Sequence, residues 1–166
     1  MLQKADGDVK LTYTEHHVVL SRHDFRIIAR LNEGKYPPYT RLIADKYPIK
    51  VVVGKDSILS ALKVVAPASN AESQQTILTF TKGNLSISAE DYATAKSASV
   101  NMPSDYEGKE FKIAFKHSWL MPLVANVAEE NVKFLIQDTT KAALIVPENQ
   151  DETVEYVYLL MPMLIL

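Results

Sequence analysis

The chain has 166 residues (18.6 kDa), is 47% hydrophobic and 23% charged, and carries a net charge of −2. This length suits one domain, or one domain plus a piece of another, and can bury about 70% of its unfolded surface without a metal or disulfide. The lack of cysteine excludes disulfides, iron–sulfur clusters, zinc–thiolate sites and cysteine nucleophiles; five dispersed glycines exclude a Walker loop and a GxGxxG turn, which need clustered glycines to bring backbone amides against phosphate.

Taken from the N-terminus, VKLTYTE, HHVVLSR and DFRIIARL alternate apolar and polar residues with a period of two, which predicts three consecutive strands with no helix in residues 1–35. Three strands bury little and leave an open edge that seeks a partner chain. Residues 36–48, with Pro37, Pro38 and Pro48, read as a linker. A strand around Val51–Val53 follows. In 55–66 the apolar residues Ile58, Leu59, Leu62, Val65 and Ala66 recur at spacings of three and four, predicting a helix that Pro67 stops. TILTFT, LSIS and TAKSASV are strands, with a turn at Lys82-Gly83-Asn84.

After EFKIAF, another strand, Trp119, Leu120, Leu123, Val124 and Val127 predict a second helix over 117–128. Pro122 is tolerable only near its first turn, so an irregular start is expected. NVKFLIQ, ALIV and VEYVYLL complete the series as strands. The order is therefore a duplicated β-α-β-β-β unit, an α+β fold with two helices packed on antiparallel sheets. A gapless alignment supports it, pairing Lys55 with Lys116, Ser57 with Ser118, Leu59 with Leu120 and Leu62 with Leu123. ASVNMP and VYLLMP then close the two copies alike.

Charge is uneven along the chain. Residues 35–63 net +4 while 64–166 net −6. The basic stretch reads either as a footprint for nucleic acid or as an unevenly solvated surface. No metal or catalytic constellation emerges. His16 and His17 point to opposite faces of a strand, His117 has no second histidine near it, and the carboxylates are scattered. No elbow glycine frames a serine nucleophile. No cofactor and no catalysis are expected. The N-terminus lacks a secretory core and the longest apolar run is about half a membrane span, so a soluble cytoplasmic protein is expected. That run, VYLLMPMLIL, is either a core strand or the lining of an apolar groove, for which methionine is suited.

The stretch Tyr36-Pro37-Pro38-Tyr39-Thr40-Arg41-Leu42, the duplication, and the closing Tyr158-Leu159-Leu160-Met161-Pro162-Met163 together resemble the C-terminal part of the bacterial replicative sliding clamp, the beta subunit of DNA polymerase III. Residues 1–44 resemble the end of its middle domain and 45–166 its whole third domain. The resemblance implies the DNA-clamp fold: a head-to-tail ring around duplex DNA, with helices lining the hole, and a non-catalytic processivity factor. Lys46, Lys50, Lys55 and Lys63 are expected to face DNA through sequence-independent phosphate contacts. It also implies an apolar pocket for short linear peptides of polymerase and clamp-loader subunits, formed by Pro37, Arg41, Leu42, Trp119, Thr140, Ala142, Leu159, Leu160, Met161, Pro162 and Met163. Trp119 stands where the family often has tyrosine, and the lesser alternative is that it is core. Leu164-Ile165-Leu166 lacks the basic residue frequent after the last methionine, and Pro67-Ala68-Ser69 replaces larger apolar residues. A peptide-binding adaptor of similar topology without a DNA role is the alternative.

Overall fold

The computed structural model describes residues 8–36, 38–149 and 157–165. The chain divides into two compact units, 1–38 and 39–166, so the linker residues 39–44, expected with the first segment, group with the second. Among the described residues, no helix is long and apolar enough to cross a membrane.

In the first unit, β1 (Lys10–Tyr13), β2 (His17–Arg22) and β3 (Phe25–Arg30) form an antiparallel meander. Thr14 ends β1, its hydroxyl accepting from the backbone N–H of His17 at 3.1 Å. Arg22 donates from Nε and Nη2 to Asp24 at 2.6 Å each, closing the second turn. That ion pair holds the Asp24 carboxyl down at about 2. Register puts Leu11, Leu20 and Ile27 in one cross-strand row, beside Tyr13, Val18 and Ala29. Yet none of the described residues in this unit is buried.

The second unit is the expected duplication. β4 (Ile49–Gly54), α1 (Lys55–Val65), β5 (Gln75–Thr81), β6 (Asn84–Asp91) and β7 (Lys96–Pro103) form one copy. β8 (Phe111–Lys116), α2 (His117–Ala125), β9 (Asn131–Ile136), β10 (Ala143–Pro147) and β11 (Tyr158–Leu160) form the other. The copies exchange their first strands: β4 pairs with β9 in the sheet β11-β10-β9-β4, and β8 pairs with β5 in the sheet β7-β6-β5-β8. Each helix leaves one sheet and packs on the other, α1 on β7 and β6, α2 on β11, and the two helices lie against one another. The core is the apolar face of both sheets, led by Phe80, Phe115 and Phe134, closed by Ile58, Leu62, Leu120 and Val124.

Strand pairing corrects the repeat alignment by one residue. Gly54 and Lys116 are the equivalent helix caps, and buried Ile58, Leu62 and Val65 correspond to buried Leu120, Val124 and Val127. The identities Lys55/Lys116 and Ser57/Ser118 are therefore coincidental. A one-residue shift turns a helix by 100°, and burial rather than exposed identity fixes the phase. Ladder register likewise makes buried Met102 equivalent to buried Leu160, not to exposed Met161.

Local chemistry explains the boundaries. Gly83 adopts φ 71° in the turn between β5 and β6, where a side chain would be strained. Pro67 lies in a 3-10 turn, Ala66–Ala68, that ends α1. Pro122 lies inside α2 rather than in its first turn. It is exposed, so the carbonyl it leaves without a helical donor faces water. Asn126 ends α2 by donating to the Pro122 carbonyl from its backbone N–H at 3.1 Å and its side chain at 2.8 Å. The free edge of β4 is blunted by Asp105, whose carboxylate accepts from the Val52 N–H at 2.5 Å.

Candidate peptide groove

Strand β8 and the first turn of α2 meet the C-terminal segment at one end of the second unit. β11 ends at Leu160, and the chain then crosses to the other sheet, where the Met163 N–H donates to the Ala114 carbonyl of β8 at 2.8 Å. One residue on, the Leu164 carbonyl accepts from Gln75 Nε2 at 2.8 Å. Gln75 is the ladder partner of Lys116, and the Lys116 ammonium stands 5.4 Å from the centre of the Trp119 ring. Strand pairing, hydrogen bonds and the cation–ring contact thus gather Trp119, Lys116, Gln75 and Met163–Leu164 around the end of β8.

The apolar surface there is open. Trp119 is 59% exposed, Met161 47% and Leu164 76%. The reading of Trp119 as core is overturned: α2 turns Leu120 and Val124 inward and Trp119 outward. Pro162 and Met163 are half-buried beneath this surface. The C-terminal run that sequence left as strand or groove splits, with Leu160 in the core and Met161 outside it.

Other expected pocket residues are distributed differently. Leu160 faces the core, opposite Ala143, and offers no surface. Leu159 pairs with Leu144 on the other face of the sheet. Ala142 is buried just before β10. Thr140 lies in a tight turn where Asp138 Oδ1 accepts from the Thr140 N–H and hydroxyl at 2.7 Å each, bonds that lower the Asp138 carboxyl pKa. Arg41 and Leu42 stand exposed on a 3-10 turn, Tyr39–Leu42. Pro37 lies outside the described residues.

The four lysines are spread over α1, β4 and the segment ahead of β4. Lys63 is exposed on the last turn of α1. Lys55 opens α1, but its ammonium donates to the Val127 carbonyl at 3.1 Å, tying the start of one helix to the end of the other. Lys50 alternates with inward Val51 and lies on the sheet face away from the helices. Lys46 is exposed ahead of β4. Among the described residues, no three His, Asp or Glu side chains are placed to hold a metal ion.

A shallow cavity of about 620 Å³ lies on the outer face of the β7-β6-β5-β8 sheet, lined by Gln75, Ser73, Ser88, Ser97, Ser99 and Asp91 among others. None of the expected site residues lines it. The Asp91 carboxyl is lowered by hydrogen bonds from Thr94 and Asn70 and serves its own turn.

Comparison with known proteins decides the family. The DNA polymerase III beta subunit, C-terminal domain, matches residues 40–163. The chain belongs to that family. It is 26% identical over 163 residues to the beta sliding clamp of Pseudomonas aeruginosa, covering 98% of this chain and 43% of that protein. It is 24% identical over 161 residues to the Staphylococcus epidermidis beta sliding clamp, covering 95% and 42%. The crystal structure of the Pseudomonas aeruginosa DNA polymerase III subunit beta superposes with a TM-score of 0.86 at 25% identity, over 99% of this chain and 44% of that one. A sliding clamp of the same organism bound to griselimycin gives 0.82 at 26%, over 99% and 43%. The chain spans under half the length of these relatives.

Within this beta-subunit domain, sequence reasoning missed Gln74, Gln75 and Lys116. Gln75 and Lys116 are brought together by strand pairing, which no local spacing signals.

Proposed function

We propose that this chain is the peptide-docking end of a non-catalytic DNA clamp. Trp119 and the Met161–Leu164 segment receive apolar side chains of short linear peptides from polymerase and clamp-loader subunits. One observation carries the reading: α2 exposes a tryptophan and the C-terminal segment exposes a methionine and a leucine, and that segment is hydrogen-bonded to Ala114 of β8 and to Gln75. Aromatic and methionine side chains on fixed backbone are the usual anchors of such surfaces, because they contribute contact area at little entropy cost. Arg41, Leu42 and Thr140 would form the rim, with Leu159 and Ala142 supporting it from the adjoining sheet. Lys63, and Lys46 less directly, would contribute cationic charge to a ring around duplex DNA in a cytoplasmic, head-to-tail dimer. Lys55 acts instead as a helix-to-helix tie.

Calorimetric titration of the chain with the pentapeptide Gln-Leu-Ala-Leu-Phe tests the docking claim. Saturable heat that Trp119→Ala removes is the expected result; equal binding by that variant would refute the assignment. For the DNA claim, association of a complete clamp carrying this domain should fall with salt and weaken with Lys63→Glu. Salt-insensitive behaviour would favour the adaptor alternative.

A further inference from the structure

We infer that Gln74-Gln75 is the positioning element of this groove, setting the distance between its two walls; the inference rests on the peptide-docking reading. One wall is the first turn of α2, the other the C-terminal segment. Gln74 holds the first. Its backbone carbonyl accepts the His117 N–H at 3.0 Å, and its side-chain Oε1 accepts the Ser118 hydroxyl at 2.5 Å. Gln75 holds the second through its 2.8 Å bond to the Leu164 carbonyl.

Gln74 does this in a conformation unfavourable to it. Its φ is +51°, in the left-handed region where a residue other than glycine is disfavoured. The strain is sustained by its own N–H, which donates to the Asn70 carbonyl at 2.8 Å, and by Asn70 Oδ1 accepting from the Ser73 N–H at 3.1 Å. Ser69 in the same turn contacts His117 Nε2 at 3.1 Å. An over-determined turn thus aims two adjacent amides, one at each wall. Strain retained in this way accompanies sites whose geometry matters.

The test uses the whole chain, the pentapeptide Gln-Leu-Ala-Leu-Phe and amide exchange. Gln75→Ala is expected to weaken peptide binding about fivefold, the order of one lost net hydrogen bond. Gln75→Lys restores a donor to the Leu164 carbonyl and should recover most of it. Independently of any peptide, exchange at the Met163 amide should quicken severalfold in Gln75→Ala while core amides such as that of Leu78 keep their protection. Binding by wild type and Gln75→Ala alike, or an unchanged Met163 amide, would overturn the inference and leave the docking reading intact. Failure of the wild type to bind would overturn both.

Discussion

Trp119 and Leu120 are neighbours on α2 with opposite environments, and replacing each by alanine separates a surface anchor from a core residue. Leu120 is fully buried in the cluster that includes Val124, Val127 and Leu160. Truncating such a leucine loses transfer free energy and leaves a cavity, so Leu120→Ala should cost about 3 kcal/mol. For a chain of this size that lowers Tm by roughly 6–12 °C. Trp119 is 59% exposed and absent from the core cluster. The Lys116 ammonium stands over its ring at 5.4 Å, and alanine is the better helix former, so Trp119→Ala should cost less than about 1 kcal/mol. Urea unfolding followed by far-UV circular dichroism measures both. A loss above about 2 kcal/mol for Trp119→Ala would mean that the indole packs inside, and the groove would have to be abandoned.

Three further outcomes follow from local geometry. Ala95 holds φ +53° while exposed, so Ala95→Gly should stabilise the chain by about 0.5–1 kcal/mol, read as a higher urea midpoint at constant slope. Gly108 leaves no room for a Cβ against the end of Tyr106, whose ring packs edge-on to Phe80 at 5.9 Å and whose hydroxyl donates to the Lys109 carbonyl at 2.7 Å. Gly108→Ala should therefore cost about 1–3 kcal/mol by displacing that ring, also read by urea unfolding. Burial, then the nearby Lys116 charge, lower the His117 pKa below the ordinary histidine value of 6.5. The folded state then binds its proton less readily than the unfolded chain, so stability is full above 6.5 and declines as pH falls below it. Comparing urea midpoints at pH 7.5 and 5.5, His117→Gln should remove its share of that decline.

The fold was legible because its signals are local. Alternation in TILTFT and NVKFLIQ, helical spacing in 55–66 and 117–128, and the turn at Lys82-Gly83 each place an element without knowledge of its neighbours, and all of them are present. The repeat phase was not legible, since Lys55/Lys116 and Ser57/Ser118 are identities among residues outside the core and constrain nothing, whereas the matching core pairs Ile58/Leu120 and Leu62/Val124 differ in type. Sequence pointed to Trp119 and the Met-Pro-Met terminus, and the structure leaves Trp119 and Met161 exposed. Leu160 was misplaced because a terminal strand alternates faces and its phase depends on pairing with Ala143. The lysines illustrate the same limit. Basic charge clusters in the sequence, yet β4 turns Lys50 away from the helices, and Lys55 is drawn to a carbonyl that follows the other helix.

The most direct measurement of the central claim is the emission of Trp119, the chain's single tryptophan, during titration with Gln-Leu-Ala-Leu-Phe. An exposed indole that becomes covered by the peptide's leucine and phenylalanine should shift to shorter wavelength and saturate, while the control peptide Gln-Ala-Ala-Ala-Ala should leave it unmoved. No change up to millimolar peptide, or the same change with the control, would contradict the account.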